Sequence, residues 1–318
     1  MNEISPFHKV LASVPGLYII GVAGDSGSGK TTFTGILRHL FGDQLVSTIS
    51  LDDYHILDRE ERRKRHVTPL APEANNLEGL SRDLRSLKAG RSIDKMVYNH
   101  STGTLEGPVE FSPSRILILE GLHTLYTAEL RECLDFSLYV DPAQDVKREW
   151  KIKRDTGKRG YSEHEVMDEM RIRQADYSRY IAPQREVAGA IVHVDFSRFG
   201  RDAGWISNIY RTSLFLNPVP EISGPAGFSI GLCLLLSMEA CPFSLEYTHQ
   251  VLGTRRMAVL TADGEFNQQF VRSFALSMKE ETGVNPSLVF GERPCLTPGD
   301  IIQLILCWRI LQDILSRA

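Results

Sequence analysis

Residues 17–40 read LYIIGVAGDSGSGKTTFTGILRHL. An apolar run, Leu17–Ala23, suits a buried strand. It leads into Gly24-Asp25-Ser26-Gly27-Ser28-Gly29-Lys30-Thr31-Thr32, and a helical pattern, Thr31–Phe41, follows. Strand, glycine-rich loop and helix together are the setting in which G-x-x-x-x-G-K-[ST] holds phosphate. The glycines let backbone N–H groups close around phosphate oxygens, and the helix start adds positive partial charge. Lys30 is placed to reach the β- and γ-phosphates, and Thr31 to offer its hydroxyl to Mg²⁺. Nucleotide binding is the expectation that follows.

Working outward, apolar runs alternate with helical patterns up to about residue 200. Further strands are expected at Leu45–Leu51, Arg115–Glu120, Phe136–Val140 and Ala190–Val194. RILILE (115–120) is apolar up to its acid, as a strand covered on both faces should be. Leu77, Leu80, Leu84 and Leu87 recur at helical spacing behind the cap Asn76, and that helix should stop at Gly90. This is an α/β pattern: a mostly parallel sheet flanked by helices. Composition changes after Gly200, where Pro218, Pro220, Gly224, Pro225 and Gly227 read as a turn-rich entry. Apolar runs at Ser229–Met238 and Arg256–Thr261 follow. A helical repeat of Phe266, Phe270, Phe274 and Met278 ends at Gly283, and Thr297-Pro298-Gly299-Asp300 opens a last helix to about Ser316. Two domains are expected: 1–204, with a closing segment near 154–165, and a smaller α+β unit over 205–318.

Composition narrows the function classes. Of 318 residues 42% are hydrophobic and 24% charged, which excludes disordered and fibrous chains. Lys plus Arg number 36 against 40 acids, a net charge of −4, so no global basic field exists to hold a nucleic-acid backbone. The longest apolar stretches, Phe228–Met238 and Ile301–Leu311, fall short of the ~20 residues that span a bilayer, so no membrane partner is expected. MNEISPFHKV places Glu3 and Pro6 where a secretory leader needs an apolar run. Five scattered cysteines without metal-ligand spacing read as reduced thiols, and the protein is expected in the cytoplasm.

Further chemistry gathers where strands end. Glu120 closes RILILE and is positioned to hold Mg²⁺ or its water beside a phosphate loop, although acids at strand ends are otherwise commonly solvated. Asp52 and Asp53 follow the second strand, at the carboxyl edge where α/β sheets bind ligands. A carboxylate there can accept a hydroxyl proton, though paired aspartates also cap helices. In REWKIKRDTGKRG (148–160), Lys151, Arg154 and Lys158 share one helix side and would border the same cleft. Arg62-Arg63-Lys64-Arg65-His66 mixes with Glu60 and Glu61 and reads as an exposed helical face.

GDSGSGKTTF, SLDDYHILDR, PEANN, VYNHSTG, ILEGLH and WKIKRDTGKRG, in that order, resemble the phosphoribulokinase/uridine kinase family of P-loop kinases. LDDYHxxDR and YNHxTG are the specific part, and they favour a sugar-phosphate acceptor over a nucleoside. The resemblance implies ATP-dependent transfer to the 1-hydroxyl of D-ribulose 5-phosphate. It makes Asp52 the base, with Lys30 on the nucleotide and Thr31 and Glu120 on Mg²⁺, and Asp155 as a further ligand. His55, Arg59, Tyr98, His100, Lys151 and Arg154 match sugar-phosphate positions, and Arg159 matches an arginine near ATP. A homodimer is expected, since the apolar strand runs and the helix 266–282 of the C-terminal unit would suit a packed interface, although an ordinary core explains them equally well. The regulatory cysteine of plant-type members is replaced by Ser28, so thiol switching of that kind is not expected. The chain after about 205 looks unlike the plant and short bacterial forms, which suggests a separate, archaeal-type branch. A nucleoside kinase of the same family and a non-catalytic nucleotide-binding regulator are the alternatives.

Overall fold

Burial on both faces explains why the first strand forms where it does: all six residues of β1 (Tyr18–Ala23) are buried. The computed structural model describes residues 6–202, 204–218, 242–286, 290–291 and 293–317. The chain forms two compact units. One comprises residues 16–34 and 44–189; the other comprises the described residues before and after these, together with 35–43. After α1 (Pro6–Ser13) and β1 come α2 (Lys30–Phe41), β2 (Val46–Ser50), α3 (Arg59–Arg65) and α4 (Leu77–Lys88). A hairpin of β3 (Ile93–Asn99) and β4 (Thr104–Phe111) follows. Next are β5 (Ile116–Gly121), α5 (Ala128–Glu132), β6 (Phe136–Pro142), α6 (Gln144–Arg159) and α7 (Glu163–Asp176).

In the first unit β2, β5, β1 and β6 lie side by side, all parallel. Register sets the level of the site: Val22 and Ser50 both lie opposite Glu120, so the phosphate loop, Glu120 and the turn carrying Asp52 leave one edge together. The expected helix at Leu77 is present, with Asn76 accepting from Gly79 N at 2.9 Å. Leu80, Leu84 and Leu87 pack with Ile19, Ile49, Leu117 and Leu119, each such leucine stabilising by roughly 1.5–3 kcal/mol.

The second unit differs from expectation. The strand foreseen at Ala190–Val194 is β7 (Ala190–Phe196), but it pairs antiparallel with β8 (Tyr210–Leu216). A parallel pair would need a crossover, usually helical, and the described residues among 197–209 contain no helix. The compact grouping therefore changes at Gly189 rather than at 204. β9 (Phe243–Leu252) and β10 (Arg255–Gly264) continue the antiparallel set. Phe266 belongs to β11 (Phe266–Asn267), paired with β12 (Cys295–Leu296), so helix α8 starts later, at Gln269, and runs to Thr282. Helix α9 (Pro298–Leu315) opens with the expected capping box of Thr297 and Asp300. The expected run Ser229–Met238, with Cys233 and Cys241, and the turn signals from Pro220 to Gly227 lie outside the described residues. Cys133, Cys295 and Cys307 are free buried thiols. Among the described residues, no helix is long and apolar enough to cross a membrane.

Candidate active site

The phosphate loop is shaped by close approaches. Gly24 has φ +150°, and a Cβ there would lie 2.6 Å from the Val140 carbonyl oxygen. Gly29 has φ +91°, and its Cβ would press on the Trp150 ring at 3.2 Å. Both positions need glycine. Lys30 Nζ donates to the carbonyls of Gly24 (2.9 Å) and Asp25 (2.8 Å). Burial pulls its pKa below the ordinary lysine value, while Asp25, Glu120 and Asp52 act against that. Ser28 Oγ is buried and has no hydrogen-bond partner in the protein. An orphan hydroxyl costs about 1–3 kcal/mol, and an anionic oxygen in the loop would satisfy it.

Two acids sense Lys30 from the sheet edge. Glu120 Oε2 accepts from Thr34 Oγ1 at 2.9 Å, and Asp52 follows β2 on a single turn of 3₁₀ helix. Thr31 lies in the first turn of α2, and Glu120 is tied to the same helix through the Thr34 hydroxyl. No group of three or more His, Cys, Asp or Glu able to hold a metal occurs among the described residues. Mg²⁺ uses one or two carboxylates and phosphate oxygens rather than a full protein cage, and Glu120 and Thr31 are the residues that would hold it.

The neighbouring aspartates separate into different jobs. Asp53 is tied down, accepting from Lys95 Nζ (2.6 Å) and from Tyr98 N (2.8 Å), and so pins the β3–β4 hairpin against the turn. Asp52 remains about 29% exposed between two imidazoles: His55 Nε2 is 3.5 Å from Oδ1 and His100 Nε2 is 3.6 Å from Oδ2. Tyr98 meets both rings edge-on, at 5.0 and 5.1 Å. Arg59 Nη2 donates to the His100 carbonyl at 2.6 Å. His55 and His100 thus flank Asp52, with Tyr98 against both rings and Arg59 on the His100 carbonyl.

Lys151 and Arg154 do not join them. Both lie on α6 against the phosphate loop: a Cβ on Gly27 would be 3.3 Å from Lys151 Cβ, and Arg154 Nη2 donates to Ser26 Oγ at 3.2 Å. Asp155, fully buried, accepts from Lys151 Nζ (3.0 Å) and Arg154 Nε (2.8 Å). Burial alone would raise its pKa, but those hydrogen bonds and charges prevail and hold it down to about 2. With both oxygens occupied by cations, Asp155 orients Lys151 and Arg154, and a metal-ligand role does not fit. Residues 154–159 of the expected closing segment are helical, and the side chain of Arg159 lies outside the described residues.

Sequence reasoning missed three contributors. Lys147, buried one helical turn before Lys151, donates to Asp25 Oδ2 at 2.9 Å and sits 3.9 Å over the Tyr177 ring. Its i−4 spacing from Lys151 was the available signal. Arg62, expected on an exposed face, is buried and donates to the Leu57 carbonyl (2.6 Å) and Tyr98 Oη (3.1 Å). α3 turns that one residue inward while Arg63, Lys64 and Arg65 stay exposed. Asn75 binds the back of His55, Oδ1 to Nδ1 at 2.8 Å.

The profile of the Phosphoribulokinase / Uridine kinase family matches residues 19–197, which takes in every residue just described. The chain belongs to this family. A phosphoribulokinase of Synechocystis sp. is 43% identical over 176 residues, covering 55% of this chain and 53% of that protein. A chloroplastic phosphoribulokinase of Triticum aestivum is 37% identical over 287 residues, covering 82% and 70%. A uridine kinase of Macrococcus caseolyticus is 33% identical over 181 residues, covering 55% and 86%. The chain spans about half the length of the Synechocystis relative. The crystallised phosphoribulokinase from Rhodobacter spheroides shares the fold, with TM-score 0.52, 20% identity, and 94% and 98% of the two chains covered. With 82% of this chain covered, the likeness to the Triticum aestivum protein runs past residue 205, where the sequence motifs had suggested a departure.

Proposed function

We propose that the protein phosphorylates the 1-hydroxyl of D-ribulose 5-phosphate with ATP, giving ribulose 1,5-bisphosphate and ADP. The observation that carries this reading is Asp52, a partly exposed carboxylate at the phosphate-loop edge, ringed by His55, Tyr98, His100 and Arg59. Asp52 accepts the proton as the hydroxyl oxygen attacks the γ-phosphorus in line. Lys30 and the loop N–H groups hold the β- and γ-phosphates, and Ser28 Oγ gains the partner it lacks. Glu120 and Thr31 would hold Mg²⁺, which when bound would offset charge on the transferring group. Arg59, with its planar fork, and the exposed His100 suit a phosphorylated sugar better than an uncharged nucleoside. The higher identity to relatives named phosphoribulokinase than to those named uridine kinase supports the same side.

A homodimer completes the reading. β9 ends its sheet, and Tyr247 and Val251 on it are exposed, which suits pairing with a second copy. ADP release from Mg²⁺-ATP, compared with ribulose 5-phosphate, uridine and no acceptor, tests the function. Stimulation by the sugar phosphate alone is expected. Stimulation by uridine alone would transfer the chain to the nucleoside branch, and ATP binding without turnover would leave a regulator.

A further inference from the structure

His55 is held from behind by an amide whose orientation is fixed. The chain pairs with itself there: Ile56 N donates to the Ala74 carbonyl at 2.9 Å and Asn76 N to the Tyr54 carbonyl at 2.7 Å, which brings His55 opposite Asn75. Asn75 Nδ2 donates to the carbonyls of Pro69 (3.1 Å) and Ala71 (2.9 Å). Both amide hydrogens are used, so the atom facing the imidazole is the oxygen, an acceptor only. His55 Nδ1, 2.8 Å away, must therefore carry a hydrogen. In the neutral ring that leaves Nε2 with a lone pair, directed at Asp52 Oδ1, 3.5 Å away. Two acceptors face each other with no hydrogen between them. The hydrogen that would join them is the one an attacking hydroxyl brings.

The surroundings suit a ring that is neutral before reaction. His55 is buried, and burial lowers its pKa; Arg62 and His100 act the same way, while Asp52 and the Asn75 hydrogen bond oppose them. The groups facing it are Asp52 on its own turn, Tyr98 and His100 from the hairpin side, Arg62 from α3, and His123 beyond β5.

We propose that His55 Nε2 takes the substrate proton on from Asp52, and that Asn75 is the positioning residue that keeps Nε2 able to accept it. The inference rests on the kinase reading above. As the substrate oxygen bonds to the γ-phosphorus and the bond to the ADP oxygen breaks, the hydroxyl proton moves to Asp52. It then passes to His55 Nε2, giving an imidazolium whose Nδ1–H still donates to Asn75, and it leaves to water after product departs. Asp52 is returned to its carboxylate form. The 3.5 Å separation is of the kind that tightens when a substrate is bound.

Two measurements test this. ¹⁵N NMR of histidine-labelled wild-type protein should show His55 as the Nδ1–H tautomer near neutral pH. The pH profile of kcat/KM for ribulose 5-phosphate should then be compared with Asn75→Asp and Asn75→Ala. A carboxylate at 75 stabilises the imidazolium, so a higher pH is needed to free Nε2. Asn75→Asp should move the acid limb up by about one pH unit, with KM for ATP unchanged. Asn75→Ala, which releases the tautomer, should lower kcat about tenfold. An Nε2–H tautomer in the wild type, or an unmoved limb in Asn75→Asp, overturns the relay. Should the variants fail to fold, the wild-type tautomer still decides. Absence of acceptor-dependent turnover in wild type would overturn the kinase reading and the relay with it; turnover with an unmoved limb overturns the relay alone.

Discussion

The two sides of the site are built on different principles. On the phosphate-loop side, cations are locked to carboxylates: buried Lys147 to Asp25, and buried Lys151 and half-buried Arg154 to Asp155. On the acceptor side, Asp52, Arg59 and His100 are partly or largely exposed and are held by backbone or by edge-on rings. The first side is preorganised for a group every kinase of this kind must hold, and organising it before binding lowers the cost of ordering it at the moment of reaction. The second sets Asp52, Arg59 and His100 within reach of solvent on a buried backing of His55, Tyr98 and Arg62, and a different acceptor can be met there by changing a few of the exposed side chains. Constant chemistry sits on the rigid side, and selectivity on the adjustable one.

The largest test of this contrast is Asp52→Asn. It should lower kcat about 10²–10⁴-fold with ATP affinity nearly unchanged, measured by steady-state kinetics and nucleotide titration, because the base touches only the acceptor. Loss of ATP binding in that variant would mean the two sides are not separable. Next is Asp155→Asn, which removes the buried carboxylate shared by Lys151 and Arg154 and leaves Lys151 only the more distant Glu169, at 3.5 Å. Breaking a buried pair costs about 3–5 kcal/mol. A marked fall in denaturation midpoint together with weaker ATP binding is expected, and no change in either would show the clamp to be dispensable.

A smaller effect belongs to His123, which lies beyond Glu120. Burial holds its pKa down to about 4, and Nε2 lies 2.9 Å from the Leu70 carbonyl. Between the ordinary value of 6.5 and 4 the unfolded chain binds a proton that the folded one does not. Its contribution is therefore full above 6.5 and is lost as pH falls towards 4, on the order of 3 kcal/mol. Replacing it with Gln should flatten that part of a stability-versus-pH curve; an unchanged slope would assign the loss to other groups. The mildest pair sharpens the comparison directly. Arg59→Ala should raise KM for the sugar phosphate about tenfold and leave ATP alone, while Arg154→Ala, on Ser26, should do the reverse. Crossed results would erase the boundary drawn here.

The same division governs what could be read from the residues. The phosphate loop, Glu120 and the strands bearing them were legible, because a strand buried on both faces is a continuous apolar run and the loop has a fixed spacing. The β3–β4 hairpin was not, since β4 is exposed along most of its length and shows no apolar alternation. β9 was hidden for the same reason. Arg62 lay among like charges, and nothing local distinguishes the one that turns inward. The partners of Lys151 and Arg154 depend on where α6 lies against the loop, which spacing within the helix does not encode. Asn75 acts through which carbonyls take its two amide hydrogens, a property of the folded chain alone.

Trp150 gives the rigid side its own optical signal. Its ring edge lies against Gly29, where any adjustment of the loop around a bound anion must alter the ring's surroundings. Of the other two tryptophans, Trp205 is largely exposed and Trp308 is buried in the second unit, so their emission should not follow the loop. Nucleotide occupancy should thus be visible in the light the protein itself emits, without a label and before any phosphate has moved.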